Sequence, residues 1–245
     1  MSGKVWLIGA GPGDPELLTL KAVRALAQAE VVMIDDLVNP AVLEHCPTAR
    51  VIPVGKRGGC RSTPQDFIHR LMLRYARQGR RVARLKGGDP CIFGRGGEEA
   101  DWLGARGIEC ELVNGITAGL AAATQCRIPL TLRGVSRGVT LVTAHTQDDS
   151  PLNWRSLAAG GTTLVVYMGV ARLAEIRDGL LAGGMRADTP VAMIENASLP
   201  TQREYRSLMQ DMLEDAQDFA LKSPAILVIG EVAAAVQLVA QARTA

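Results

Sequence analysis

The sequence lacks the residue groupings that build metal centres and disulfide frameworks. Its five cysteines are an odd number and form no C-x-x-C pair. Its histidines stand alone at positions 45, 69 and 145. Widely spaced thiols are typical of a reducing cytosol and provide neither a disulfide framework nor a zinc site. We therefore expect no metal cofactor.

Long apolar runs and a strong net charge are also missing. No apolar stretch reaches the roughly 18 residues of a membrane span. The chain enters a predicted strand at Lys4–Ile8 without the basic and apolar regions of a signal peptide. A net charge of only +2 does not favour nucleic acid or a membrane surface as a partner. We expect a cytosolic protein that binds neither.

The first half of the chain alternates short apolar runs with amphipathic stretches, which predicts a mostly parallel sheet with helices on both faces. The predicted strands are Val5–Ile8, Val31–Ile34, Arg50–Pro53, Val82–Leu85 and Glu109–Val113. The predicted helices are Leu17–Ala29, Pro64–Arg77 and Glu98–Ala105.

The pattern changes after residue 113. Residues 114–124 are rich in small side chains, which predicts a tightly packed helix, and residues 128–138 are rich in turn formers. Strands are predicted beyond them at 139–144, 163–168, 191–195, 203–207 and 225–229, and helices at 171–182, 208–219 and 232–242. The sequence thus predicts an N-terminal α/β domain at 1–115, a connecting helix and linker at 116–137, and a C-terminal α/β domain at 138–245.

Glycine clusters follow two of the predicted strands. One is Gly9–Pro15, and the other lies within Leu85–Glu99, which contains five glycines and five charged residues. Glycine gives a core nothing to bury, and clusters of it after a strand indicate a close approach of backbone to a ligand. The charges among the glycines indicate that this ligand is polar.

A dinucleotide site is one interpretation of the first cluster. The fingerprint G-x-G-x-x-G needs a third glycine where this chain has Asp14, whose negative charge is unfavourable for a pyrophosphate. Asp35 stands at the end of the second strand, where a ribose-binding acid is expected. The interpretation as an NAD-dependent oxidoreductase is weakened but stays open.

Several strings occur together in one order along the chain. They are Gly-Ala-Gly-Pro-Gly-Asp-Pro from 9, Gly-Lys-Arg from 55, Gly-Gly-Asp-Pro-x-x-Phe-Gly-Arg-Gly-Gly-Glu-Glu from 87, Gly-Ile-Thr-Ala from 115, Tyr-Met-Gly from 167 and Glu-Asn-Ala from 195. In this combination the chain resembles the tetrapyrrole methylases. The resemblance implies two α/β domains of the tetrapyrrole methylase type, with the active site in the cleft between them.

The resemblance also implies S-adenosylmethionine as the methyl donor and S-adenosylhomocysteine as its product. The residues that match the family's cofactor site are Pro12, Gly87, Gly88, Asp89, Ile92, Thr117, Ala118, Met168, Ala197 and Ala225. Glycine and alanine allow backbone groups to reach the ligand. A soft methionine sulfur suits the face of an adenine ring.

The implied substrate is uroporphyrinogen III, a tetrapyrrole with eight carboxylates, methylated at C2 and C7 to precorrin-2 through precorrin-1. Cations should recognise these carboxylates. Lys56, Arg95 and Arg133 match the family's substrate positions, and Glu98 is placed to orient Arg95 or to favour a helix start. The proton acceptor stays open between Asp35, with Lys56 as a relay, and Arg95. A homodimer is the assembly that the resemblance implies.

Two further alternatives remain at this stage. A methylase of the same fold acting on a later corrinoid would share the first glycine cluster. A protein that binds tetrapyrroles without catalysis would need no site for a sulfonium donor.

Overall fold

The structure, a computed structural model, describes residues 3–55, 63–145 and 152–234. The chain divides into two compact units, Met1–Thr117 and Ala118–Ala245. Each unit carries a five-stranded sheet with helices packed on it. The predicted α/β fold class is confirmed, whereas the division into 1–115, 116–137 and 138–245 stays a prediction.

The sheet of the first unit, predicted to be mostly parallel, is parallel throughout. Its strands are β1 (Lys4–Gly9), β2 (Val31–Ile34), β3 (Arg50–Pro53), β4 (Val82–Lys86) and β5 (Glu109–Val113). They lie in the order β3-β2-β4-β1-β5, with β1 paired to both β4 and β5. Because all strands run the same way, the loops after β4, β1 and β5 emerge side by side at one edge.

Helices cover both faces of this sheet. They are α1 (Leu20–Gln28), α2 (Gln65–Arg77) and α3 (Gly96–Gly104), and 3₁₀ turns occur at Pro15–Leu17 and Pro40–His45. Leu26 of α1 packs with Ile8 on one face. Ile68 of α2 and Leu103 of α3 pack with Leu7 on the other. The alternation of side chains along β1 therefore supplies both cores.

The sheet of the second unit is mixed. Its strands are β6 (Val139–Thr143), β7 (Thr163–Tyr167), β8 (Pro190–Glu195), β9 (Arg203–Leu208) and β10 (Ala225–Ile229). They lie in the order β6-β7-β10-β8-β9, and only β6 and β7 pair in parallel. The helices are α4 (Ala118–Gln125), α5 (Trp154–Ala159), α6 (Leu173–Ala182) and α7 (Met212–Asp218), with 3₁₀ turns at Val170–Arg172 and Glu231–Ala234.

Several predicted helices begin later than their sequence pattern indicated. The helix expected from residue 17 starts at Leu20, because Pro15–Leu17 forms a separate 3₁₀ turn capped by Asp14, and the Thr19 side chain then accepts from the backbone N–H of Ala22. The helix expected from 208 starts at Met212, because Leu208 ends β9.

Other differences concern short or partly described elements. The helix expected within 114–124 starts at Ala118 and packs on β10 and β7 of the second unit. The short helix Trp154–Ala159 and the 3₁₀ turn Pro40–His45 were not predicted. Of the helix expected at 232–242, residues 235–242 lie outside the described residues. Among the described helices, none combines the length and the apolar character that a bilayer crossing requires.

A charged cluster secures β5, one of the two outer strands of the first sheet. Lys4 on β1 and Lys21 on α1 both contact Glu111 on β5, and Trp6 donates to the same carboxylate from its ring N–H. Hydrogen bonds from Lys21 and Lys4 lower the pKa of Glu111 from 4.5 to about 2. The ionised form is therefore favoured in the folded state.

We expect Glu111→Gln to reduce stability at neutral pH and to have less effect in acid. A carboxyl whose pKa is lowered on folding stabilises the protein above its unfolded pKa, and this contribution disappears as the pH falls through the folded value. The difference in urea midpoint between wild type and variant should thus be full at pH 7 and shrink between pH 4.5 and about 2. A difference independent of pH would contradict the assigned pKa.

Candidate functional site

The glycine-rich loops of the first unit meet at the carboxyl edge of its sheet. They follow β1, β4 and β5, which are adjacent in the sheet. Gly11 and Gly88 exchange backbone hydrogen bonds, with Gly88 N–H to Gly11 O at 2.7 Å and the reverse bond at 3.2 Å. Gly11 has φ +75° and Gly88 has φ +69°, values that favour glycine. The loops after β1 and β4 are therefore joined directly through their backbones.

A third glycine comes from the loop after β5. A Cβ on Gly9 would lie 2.6 Å from the carbonyl oxygen of Gly88, and a Cβ on Gly115 would overlap that same oxygen. No side chain fits where these backbones approach each other. Gly9 of the first glycine cluster, and Gly115 outside both clusters, are thus needed for packing of the loops against each other.

The Asp89 carboxylate joins two of these loops. Asp89 is buried, and its Oδ1 accepts from the backbone N–H of Cys91 at 2.8 Å. Its Oδ2 accepts from the backbone N–H of Gly115 at 3.0 Å, with the Asn114 amide at 3.5 Å. Both oxygens are therefore engaged within the protein, which gives Asp89 a structural role beside any contact with a ligand.

Arg95 and Glu98 form a bidentate ion pair at the start of α3. Arg95 Nε lies 3.0 Å from Glu98 Oε1, and its terminal nitrogen lies 2.7 Å from Oε2. The hydrogen bond between them raises the pKa of Arg95 above its usual value and lowers the pKa of Glu98 below its usual value. Both side chains remain partly exposed. Arg95 is thus a permanently charged, oriented cation, which makes it a poor proton acceptor.

Arg95 is also held in an unusual backbone conformation. It has φ +58°, and Phe93 in the same segment has φ +54°. Left-handed geometry at a residue other than glycine costs about 1–3 kcal/mol and is concentrated at functional sites. The surrounding hydrogen bonds must therefore hold this segment in place.

Asp35 follows β2, beside the loop after β4. Its Oδ2 accepts from a terminal nitrogen of Arg84 at 2.8 Å, and about 30% of its side chain stays exposed. The carboxylate is thus oriented and accessible at once. Lys56, the other predicted catalytic and substrate-binding residue near this position, lies outside the described residues.

A buried charge cluster beneath the loops was not predicted. Arg84 and Lys86 of β4 are almost fully buried, and so is Glu99 of α3. Lys86 Nζ lies 3.0 Å from Glu99 Oε1, and Arg84 Nε lies 3.7 Å from the same oxygen. Burial lowers the pKa of Lys86. Arg84 within the predicted strand Val82–Leu85 and Lys86 directly after it were the available sequence signal, but their acidic partner is revealed only by the fold.

The remaining predicted residues of the first unit lie on the same loops. Pro12 stands between Gly11 and Gly13 after β1, and Gly87 begins the loop after β4. Ile92 closes a turn through its backbone N–H to the carbonyl of Asp89. Thr117 is buried beyond Gly115.

The predicted residues of the second unit gather largely at one edge of its sheet. Met168 follows the end of β7, Ala225 begins β10, and Ala197 lies just beyond β8. The pairing of Tyr167 with Ile226 and of Glu195 with Ala225 makes these positions neighbours. Left-handed φ values at Met168, Asn196 and Ser198 mark the same edge. Sequence distance alone would not have placed them together.

A hydrogen bond to Tyr167 holds the start of α4 near this edge of the sheet. The Tyr167 hydroxyl accepts from the backbone N–H of Gly119 at 2.9 Å, which places Ala118 next to the end of β7. Arg133 lies elsewhere in the unit. Its turn is anchored through Ser136, which contacts Thr163 at the opposite end of β7.

Comparison with known proteins gives a consistent result. Residues 4–213 match the family model of the Tetrapyrrole (Corrin/Porphyrin) Methylases. Over 232 residues the chain is 78% identical to a uroporphyrinogen-III C-methyltransferase of Pseudomonas aeruginosa, with 95% of each chain covered.

Solved structures agree with this match. A crystal structure of uroporphyrin-III C-methyl transferase from Thermus thermophilus, complexed with S-adenosylhomocysteine, superposes with a TM-score of 0.82 at 42% identity and covers 94% of this chain and 98% of that one. A cobalt precorrin-4 methyltransferase superposes with a TM-score of 0.84 at 27% identity and covers 94% of this chain and 95% of its own.

We expect Gly115→Ala to destabilise the first unit. The added methyl group would overlap the carbonyl oxygen of Gly88, and overpacking of this kind costs about 1–3 kcal/mol. Urea unfolding measures the change. Gly97→Ala is the matched control, because a Cβ on Gly97 has nothing within 4 Å. Equal stability of the two variants would contradict the close approach.

Proposed function

Because the chain belongs to the tetrapyrrole (corrin/porphyrin) methylases, we propose that it transfers methyl groups from S-adenosylmethionine to C2 and C7 of uroporphyrinogen III. The product is precorrin-2, formed through precorrin-1. The observation that carries this proposal is the 78% identity to the Pseudomonas aeruginosa enzyme across 95% of both chains. The homodimer and the cytosolic location that the family resemblance implies belong to the same proposal.

The residues present fit the methyl donor. The loops after β1 and β4 and the segment 115–117 present backbone groups at one edge of the first sheet, and glycine leaves that backbone uncovered. Gly87, Gly88, Pro12 and Ile92 would hold the donor in the first unit, with Asp89 fixing the loops. When bound, S-adenosylmethionine supplies an electrophilic methyl group on a sulfonium.

Met168, Ala118, Ala197 and Ala225 are the proposed contributors from the second unit. Three of them are alanines, whose short side chains leave the adjoining backbone accessible, and Met168 is half exposed. The left-handed backbone at Met168 and Asn196 supports a functional role for this edge.

The charged side chains act on the tetrapyrrole. Arg95, oriented by Glu98, offers its guanidinium to a substrate carboxylate, for which its planar fork is suited. Arg133 and Lys56 are proposed as further cations for these carboxylates. Because the pKa of Arg95 is raised, we assign the removal of the proton to Asp35, with Lys56 as the relay.

The competing functions are less well supported. In the dinucleotide-binding fold the strand order begins 3-2-1-4-5, so the first strand of the chain lies between the second and the fourth strands. Here β1 lies between β4 and β5. The Asp14 side chain caps a 3₁₀ turn where the fingerprint needs glycine. A later corrinoid substrate is disfavoured because identity to the cobalt precorrin-4 methyltransferase is only 27%.

The direct test is an anaerobic incubation of the protein with uroporphyrinogen III and S-adenosylmethionine, followed by mass analysis of the oxidised product. We expect a gain of two methyl groups. If the protein binds S-adenosylhomocysteine but adds no methyl group, the assignment to the family stands and uroporphyrinogen III is refuted as the substrate.

Replacing Arg95 separates the substrate from the methyl donor. We expect Arg95→Ala to lower kcat/KM for the tetrapyrrole by about a hundredfold or more, because a charge-assisted contact and its orienting effect are both lost. Binding of S-adenosylhomocysteine, measured by calorimetry, should be close to that of wild type.

Arg95→Lys is the matched control for charge. It keeps the cation but loses the bidentate geometry with Glu98, so its activity should lie between those of the wild type and Arg95→Ala. Full activity of Arg95→Ala would refute the assigned role.

A further inference from the structure

Two buried charges bracket the segment Gly87–Glu98, which carries both proposed donor-binding residues and Arg95. Lys86 directly precedes the segment and Glu99 directly follows it. Lys86 Nζ donates to Glu99 Oε1 at 3.0 Å and to Oε2 at 3.1 Å. Glu99 is 0% exposed and Lys86 is 5% exposed. The ion pair therefore joins the residues that flank the two ends of the segment.

The fold explains why these side chains meet. Val82, Arg84 and Lys86 alternate along β4 with Ala83 and Leu85, so they share the face that α2 and α3 cover. Glu99 lies in the first turn of α3 and points into that layer. Gln65, at the start of α2, donates to Glu99 Oε1 at 2.6 Å.

The two ends of the segment are held by different contacts. Near Gly88, the backbone is joined to Gly11 by reciprocal hydrogen bonds, and Asp89 is joined to Gly115. At the Arg95 end, the backbone N–H of Gly96 donates to the carbonyl oxygen of Pro90. The backbone N–H of Glu99 donates to the carbonyl oxygen of Arg95. The position of Arg95, with its left-handed backbone, therefore depends on the position of Glu99.

The Glu99 carboxylate is also connected to Asp35, through Arg84. Arg84 Nε lies 3.7 Å from Glu99 Oε1, and the terminal nitrogen of Arg84 donates to Asp35 at 2.8 Å. Arg84 is thus placed between the two acids. The charges within this cluster balance, with Arg84 and Lys86 opposite Glu99 and Asp35.

We propose that Lys86 and Glu99 are positioning residues that act as a clasp, holding Arg95 in place for the tetrapyrrole. This role rests on the proposed function of Arg95. The pair touches neither the substrate nor the methyl donor in this assignment. It acts by fixing the first turn of α3, and a small displacement of such a group is enough to slow a reaction about a hundredfold.

The simpler explanation is that Glu99 only neutralises buried cations. Breaking a buried ion pair leaves an uncompensated charge, whereas replacing both partners by neutral residues is often tolerated. The two explanations therefore predict different behaviour for a variant in which both charges are removed.

The experiment compares Glu99→Gln with the double variant Lys86→Met/Glu99→Gln. We expect Glu99→Gln to unfold at lower urea concentration than wild type, and the double variant to recover much of that loss. If the pair is a clasp, the double variant still turns over uroporphyrinogen III at least about tenfold more slowly, while S-adenosylhomocysteine binds as in wild type.

Amide hydrogen exchange supplies a readout that does not need activity. In the double variant, we expect faster exchange across residues 90–98 and unchanged exchange at Gly11 and Gly88, which are held by their own hydrogen bonds. If the wild type fails to methylate uroporphyrinogen III, the proposed function falls, and the exchange comparison still decides whether the pair holds the segment.

Arg81→Gln/Glu30→Gln is the matched control. This ion pair lies at the amino end of β4, with side chains that are 51% and 33% exposed, and its removal should change neither exchange at 90–98 nor turnover. A double variant Lys86→Met/Glu99→Gln with wild-type exchange and wild-type turnover would overturn the proposal and leave charge balance as the only role of the pair.

Discussion

The first unit depends on a single physical constraint, the close approach of three backbone segments at the carboxyl edge of a parallel sheet. Gly9, Gly88 and Gly115 come so near each other that a side chain on Gly9 or Gly115 would collide with the Gly88 carbonyl. The Asp89 carboxylate then joins the loops after β4 and β5. A set of loops tied in this way presents backbone donors and acceptors in a fixed arrangement, which is what a preorganised ligand site requires.

Beneath these loops, a cluster of ion pairs is set into the otherwise apolar layer between β4 and the helices α2 and α3. Arg84, Lys86 and Glu99 are buried where a parallel strand and its helices normally meet through aliphatic side chains. Breaking such a pair costs about 3–5 kcal/mol, although an apolar substitute is often no less stable. Stability alone therefore does not explain the cluster, and its connection to Arg95 and Asp35 offers a functional reason.

The second unit reaches a comparable arrangement by a different route. Its sheet is mixed, so the end of β7, the start of β10 and the end of β8 coincide at one edge. The backbone there is left-handed at Met168, Asn196 and Ser198, and the Tyr167 hydroxyl holds the start of α4 close by. Left-handed backbone at residues other than glycine occurs in both units, at Phe93 and Arg95 in the first and at Met168, Asn196 and Ser198 in the second.

The sequence by itself determined the strands, the parallel first sheet, the family and the position of the glycine-rich loops. Apolar periodicity and local motifs are properties of neighbouring residues, so they can be read along the chain. The helix starts at Leu20 and Met212 were missed because turn and strand geometry at the preceding residues prevailed over amphipathic spacing.

Only the tertiary structure decided which residues meet. It paired Asp89 with Gly115, Lys86 with Glu99 and Arg84 with Asp35, and it brought Met168 and Ala225 to one edge. These contacts join residues on different strands and helices, and their partners are chosen by strand order and helix packing. The physical reason is that a hydrogen bond or an ion pair depends on distance in space, which spacing along the chain does not specify.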